Sequence, residues 1–209
     1  MDDKFITGEL FNFRNIFFLD NYLRKHKGFI AGGCFKNIFK KEKVKDIDVW
    51  FRNKEDYKAA ENLYKDLIEK HDHLIKWYEN ENTFAVKDVR ADLVIELIKK
   101  TFGTPQEILN CFDFTVTQFA YYSELNEEDE MEFKVLYHKD FFEHLQLQRL
   151  VIEKDELDYP ASTWERSYRY QKYGYSLCRE SKENLLHALR NATDEQIGDL
   201  SKSLYSGLD

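Results

Sequence analysis

Proline and glycine are scarce in this chain, with two prolines and eight glycines among 209 residues. That excludes collagen-like, linker-rich and low-complexity designs. Cysteine is also rare: Cys34, Cys111 and Cys178 are widely spaced and form no C-x-x-C pair. An odd, scattered set argues against a disulfide framework and for a reducing compartment. No apolar run approaches the roughly 20 residues of a membrane span. The amino terminus, Met1-Asp2-Asp3-Lys4, lacks the basic and apolar regions of a signal peptide. The expectation is a soluble, cytoplasmic protein with no membrane partner. The chain also lacks an excess of positive charge, since its formal net charge is −8, which excludes a bulk nucleic-acid coat. His71 and His73 have no nearby cysteine and sit in polar sequence, so they read as a solvated loop and not as a zinc site.

Aromatic residues are abundant: 17 Phe, 13 Tyr and 3 Trp. With 43% hydrophobic residues, a chain of this length buries a sizeable core without staples. The periodicity predicts an amphipathic helix over 11–25, a strand over 29–31 and a short helix over 34–39. A strand over 46–51 and a helix over 55–70 follow. Two strands, 83–86 and 91–98, are joined by a polar turn. Thr104 caps a helix that starts at Pro105. A hairpin is expected from 114–121 and 132–137 around the acidic loop 124–130. From Phe141 onward the sequence reads as helical, broken at Tyr159-Pro160, with Asp194 capping a last short helix. The fold class is therefore α/β in the α+β sense: a small mixed sheet flanked by helices over 1–138, then a helical segment over 139–209.

One constellation carries chemistry. A strand leads into Gly32-Gly33, a helix and turn follow, and Asp46-x-Asp48 lies on the next strand. Alternate residues of a strand share a face, so Asp46 and Asp48 point the same way. Two parallel carboxylates repel one another unless a divalent cation lies between them, and hard oxygen ligands suit Mg²⁺. Glycines at a helix start let backbone amides approach a phosphate. Alone, Gly-Gly is a tight turn and Asp-x-Asp a solvated strand; in this order, twelve residues apart, they point to phosphoryl or nucleotidyl transfer. A third acid is expected on a neighbouring strand. Asp92 and Glu96 share parity there, and the apolar context of Glu96 favours it, since an unpaired carboxylate would be costly in that setting.

These residues resemble the DNA polymerase beta nucleotidyltransferase superfamily, and more closely the head and neck of class II tRNA nucleotidyltransferases and bacterial poly(A) polymerases. Residues 31–48, from Ala31-Gly-Gly-Cys-Phe-Lys through Lys-Asp-Ile-Asp48, follow that family's Gly-Gly-x-Val-Arg-Asp … Lys-Asp-Ile-Asp motif without a gap. Lys36 keeps the charge of the family's arginine, and Asn37 stands in place of an aspartate. Residues 113–121, starting Asp113-Phe-Thr, are similar to Arg-Arg-Asp-Phe-Thr-Ile-Asn-Ala-Leu-Ala, with Cys111 and Phe112 in place of the two arginines. Arg166-x-x-Arg169-Tyr170-x-x-x-Gly174-Tyr175 is close to the family's neck helix. Arg166 and Arg169 share a helical face, where a fork of donors suits phosphate oxygens.

The resemblance implies Mg²⁺-dependent transfer of a nucleoside monophosphate from a nucleoside triphosphate to an acceptor hydroxyl, with a two-metal site. It implies metal ligation by Asp46 and Asp48, with Glu96 or Asp92 as the third carboxylate. It implies triphosphate contacts from Gly32 and Gly33, with Lys36, Arg166 and Arg169 helping to position the nucleotide, and a ribose contact from Asp113. The family's base-reading Glu/Asp-x-x-Arg helix has no counterpart. Four readings follow. They are transfer to an RNA or tRNA 3′ end, transfer to a protein or small molecule, a nucleotide-binding module without catalysis, and a structural domain. The intact Asp-x-Asp favours the two transferases.

Charge is unevenly spread. Residues 24–58 carry 11 basic and 5 acidic side chains, a net +6, and the rest of the chain is −14. A basic nucleotide-handling segment on an acidic body suits triphosphate binding more than an extended grip on RNA.

Overall fold

In the computed structural model, the described residues are 4–125, 128, 130–153, 157–194, 196 and 197. The chain is a mixed α+β protein whose main feature is an eight-stranded sheet. Its strands are β1 (Phe5–Gly8), β2 (Phe29–Ala31), β3 (Asp46–Trp50), β4 (Leu74–Glu79), β5 (Thr83–Asp88), β6 (Leu93–Ile98), β7 (Phe119–Leu125) and β8 (Met131–His138). The spatial order is β1-β8-β7-β2-β3-β6-β5-β4. Among the described residues, only β3 and β6 of this sheet run parallel; its other neighbouring pairs are antiparallel.

Two compact units divide the chain. The first comprises residues 1–112 and 117–139, and the second comprises 113–116 and 140–209. In the first unit the helices are α1 (Cys34–Phe39), α2 (Lys54–Lys70) and α3 (Pro105–Cys111). Helix α2 begins where the Asn53 side chain accepts the Asp56 amide, with Glu55 and Asp56 favourably placed in its first turn. It buries Tyr57, Ala60 and Tyr64 against the sheet face that carries Phe84, and Lys65 Nζ lies 5.6 Å from the centroid of the Phe84 ring. Ile47, Val49, Leu93, Ile95 and Leu97 are buried. By strand parity Ile47, Ile95 and Leu97 belong to this same back face. Helix α3 starts with a complete capping box, in which Thr104 and Glu107 satisfy each other's backbone amides. Its Ile108 and Leu109 pack on Phe29, Ala31, Ala120 and Leu136, on the opposite, front face of the sheet.

The stretch expected as an amphipathic helix over 11–25 is a 3₁₀ helix, Leu10–Tyr22, kinked where Phe13 adopts φ −122°, ψ 36°. It still buries Phe13, Ile16 and Leu19, so the apolar pattern located the buried face and missed the helix type. Strands β1 and β4 were not expected. The expected strand over 114–121 begins only at Phe119, because residues 115–117 form a 3₁₀ turn.

In the second unit α4 (Phe141–Gln146), α5 (Pro160–Lys172) and α6 (Arg179–Asn191) surround a two-stranded parallel sheet of β9 (Arg149–Leu150) and β10 (Ser176–Leu177). Pro160 opens α5 at its first turn, and Gly174, with φ +84°, follows its end. Phe114, Leu150, Ile152, Tyr175 and Leu185 are among this unit's buried residues. Parts of the acidic loop and of the segment after Asp194 lie outside the described residues. All three cysteines are free, and among the described residues no helix is long and apolar enough to cross a membrane.

Candidate nucleotidyl-transfer site

The site lies on the front face of the first unit. On β3 the burial alternates, with Asp46 exposed, Ile47 buried, Asp48 half-buried and Val49 buried. The two acids therefore share the front face while the isoleucine and valine feed the core. Strand β6 repeats the device. Its parallel pairing places Asp46 beside Val94, Ile47 beside Ile95, and Asp48 beside Glu96. Two half-buried carboxylates thus stand next to each other with Asp46 close by.

The electrostatics follow from that packing. Burial pushes the Asp48 carboxyl well above the usual carboxylate range, and the charges of Glu96 and Asp46 push it further. Glu96 is raised by burial and by Asp46, partly offset by the nearby Tyr78 hydroxyl. Cys34, buried at the start of α1, has its thiol raised by burial and then by Asp48 and Asp46, so it is not poised as a nucleophile. A group of partly buried oxygen donors that repel each other fits a hard divalent cation.

Asp92, unlike Glu96, is paired with cations. It precedes β6 in a turn with φ +49° and binds two lysines, Lys43 at 2.5 Å and Lys87 at 3.0 Å. Those hydrogen bonds lower its carboxyl to about 2. Strand parity does not extend to Asp92, because β6 starts one residue later, at Leu93.

The double glycine serves the site unequally. Gly32 has φ +118°, and its amide donates to the Phe119 carbonyl at 3.1 Å, so that amide belongs to the sheet. A Cβ there would lie 3.3 Å from Asp48 Oδ2, so Gly32 supplies both a left-handed turn and clearance for the carboxylate. Gly33 has helical dihedrals at the start of α1. Lys36 is buried within α1 and donates to Asn37 Oδ1; burial lowers its ammonium. Trp50 Nε1 donates to the Ala31 carbonyl at 3.2 Å, tying β3 to the strand end that precedes Gly32.

The remaining expected residues belong to the second unit. Asp113, nearly buried, forms an ion pair with Arg166 of α5. Arg166 Nε is buried without a hydrogen-bond partner among the described atoms, and Arg169, one turn on, is exposed. Asp113 and Arg166 are thus paired with each other, a relation that motif spacing did not disclose. Sequence reasoning also missed Tyr78 on β4, which stands opposite Ala85, itself the register partner of Glu96.

Comparisons with known proteins agree on the fold and add a family. Residues 5–148 match the family model described as Gad2, Gabija anti-defense 2 family protein. A protein of Bacillus phage SPbetaL7, "Gabija anti-defense 2", is 25% identical over 164 residues, covering 75% of this chain and 36% of its own length. The chain therefore spans little more than a third of that curated relative. A CCA-adding enzyme in complex with CTP is similar with a TM-score of 0.60 and 17% identity, over 96% of this chain and 50% of that one. The Thermotoga maritima CCA-adding enzyme complexed with tRNA gives a TM-score of 0.58 and 16% identity, over 92% and 48%. A tRNA nucleotidyltransferase with primer tRNA and an incoming ATP analogue gives 0.54 and 19%, over 82% and 49%. At such identities the likeness establishes a nucleotidyltransferase fold.

Proposed function

The chain belongs to the Gabija anti-defense 2 family, and we propose that its first compact unit transfers a nucleoside monophosphate from a nucleoside triphosphate to an acceptor hydroxyl. The observation that carries this reading is the register of β3 and β6, which sets Asp48 beside Glu96 with Asp46 on the same face. The raised proton affinity of Asp48 and Glu96 is the mark of carboxylates gathered for a cation.

Asp46, Asp48 and Glu96 would hold Mg²⁺. Bound there, the ion neutralises triphosphate charge and favours the ionised acceptor oxygen. Ile47, Val49 and Ile95, buried beneath, fix the strands that carry the acids. Gly32 leaves room in front of Asp48. In the reaction the acceptor oxygen bonds to the α-phosphorus, the bond to the β-phosphate bridge breaks, and pyrophosphate leaves. The protein contributes position and charge complementarity, and little covalent work. Gly33, Lys36, Arg166 and Arg169 remain the proposed nucleotide contacts and Asp113 the ribose contact. The two-unit division at residues near 112 and 139 is compatible with a catalytic head and a helical neck.

Two acceptors have support. The solved structures similar to this chain include tRNA enzymes, which favours an RNA 3′ end. Family membership favours a protein, namely a component of the defence that the family's name says it opposes. Incubation with Mg²⁺ and each α-labelled nucleoside triphosphate, with and without total tRNA, separates them. Label on RNA supports the first and label on protein the second. Nucleotide binding without transfer to either would contradict the enzymatic reading.

A further inference from the structure

We propose that Tyr78 is a positioning residue for Glu96, and that a β-bulge at Trp77 is the device that brings it to the site. The inference rests on the metal-site reading above. Strand β4 is the edge of the sheet, and its pairing with β5 is regular through Lys76, which stands opposite Val86. Continued without interruption, that register would set residue 78 opposite Phe84, on the back face under α2. Instead the register shifts between Lys76 and Tyr78, and Tyr78 stands opposite Ala85. One extra residue has turned the tyrosine to the front face, a common use of bulges beside functional sites. Trp77, the extra residue, sits with Lys87 Nζ 4.9 Å from its ring centroid. Lys87 in turn is in register with Val94, the neighbour of Asp46, which puts Trp77 on the carboxylate face as well.

The row Tyr78–Ala85–Glu96–Asp48 therefore crosses four strands at one level. Adjacent strands lie about 4.8 Å apart, so β4 and β6 are separated by roughly 10 Å. A tyrosine and a glutamate span that distance only if the residue between them is small. Ala85, fully buried, offers a single methyl group. Over it Tyr78 and Glu96 stand on one face at one level, which puts the tyrosine hydroxyl in position to serve as a donor to the carboxylate. A ligand carboxylate with an outer donor is restricted in rotation, and loss of such a donor typically weakens metal binding 10- to 100-fold. Glu96 is the acid that needs this help. It reaches the site from the neighbouring strand with a longer, more flexible side chain than Asp46 or Asp48.

Binding of Mn²⁺ to the full chain, followed by loss of the free-ion electron paramagnetic resonance signal, tests the proposal without reference to turnover. Wild type is compared with Tyr78→Phe, Glu96→Ala, their double variant and Asp48→Asn, each checked for an unchanged circular dichroism spectrum. Tyr78→Phe keeps the ring at a partly exposed edge position and should weaken Mn²⁺ by about tenfold. In the Glu96→Ala background the same change should add nothing, because the carboxylate it orients is gone. The transfer rate of Tyr78→Phe should recover at high Mg²⁺. Wild-type affinity in Tyr78→Phe, or an equal loss in the Glu96→Ala background, would overturn the positioning role. If either occurs while Asp48→Asn abolishes binding, the metal site stands and only this inference falls. If wild type shows no Mn²⁺ binding that Asp48→Asn removes, the metal site itself falls, and Tyr78's role with it.

Discussion

Asp48 and Glu96 are register partners on the parallel strand pair β3–β6, so their carboxylates are neighbours while Ile47 and Ile95 face the core together. Backbone pairing enforces that proximity, and neither acid can leave without breaking the strand alternation. The pair is a built-in repulsion that the protein keeps at a stability cost.

The first prediction follows from that cost. Asp48→Asn removes one of the mutually repelling charges, so the metal-free protein should become more stable, by on the order of 1 kcal/mol for each pKa unit relieved. For a chain of this size that is a rise in Tm of roughly 2–4 °C, read by thermal scan in a chelator. The same variant should lose nucleotidyl transfer. A lower Tm in Asp48→Asn would contradict the electrostatic account.

The second prediction concerns pH. Asp48 and Glu96 hold protons more tightly in the folded than in the unfolded chain. Their contribution to metal-free stability is therefore most favourable at low pH. It is lost as pH rises from the ordinary carboxylate range, about 4, through the raised values. Mg²⁺ binds the ionised forms, so the stabilisation it confers should be small near pH 4 and grow toward neutrality. Thermal scans with and without Mg²⁺ across pH 4–8 measure the difference. A Mg²⁺ effect independent of pH would argue against these carboxylates as its ligands.

The third prediction separates the two acids that the motif left in competition. Glu96→Gln should reduce transfer severely. Asp92→Asn should leave the rate nearly unchanged, since Asp92 is an exposed partner of Lys43 and Lys87, and it should shift stability only slightly. Full activity in both variants would mean that no third carboxylate is required.

The fourth concerns Gly32. Gly32→Ala places a methyl group 3.3 Å from Asp48 Oδ2 and imposes a side chain on φ +118°. Destabilisation above about 1 kcal/mol is expected, with weakened metal binding. Gly33→Ala, at helical dihedrals, should be much milder in stability. Equal effects of the two substitutions would contradict the unequal roles of the two glycines.

Much of the site was legible because it is local. The strand over 29–31, the helix over 34–39 and the Thr104 cap each follow from contiguous signals, and β3 follows from strict alternation around Asp46 and Asp48. Strand β4 was not legible for the reason that makes it interesting. The bulge at Trp77 breaks the period-two pattern by which a half-buried strand is recognised. The Asp113–Arg166 pair joins residues 53 apart, and no periodicity encodes such a contact. Asp92 lies one residue before β6, at φ +49°, so strand parity does not by itself fix where its side chain stands.

The most direct test of the central claim is the release of pyrophosphate and the fate of the α-label, measured for wild type and for the Asp46→Ala, Asp48→Ala double variant. Each is incubated with Mg²⁺, the four nucleoside triphosphates and acceptors of both classes. The account predicts labelled acceptor and stoichiometric pyrophosphate for wild type, and neither for the double variant at unchanged fold. Transfer by the double variant at the wild-type rate would contradict it.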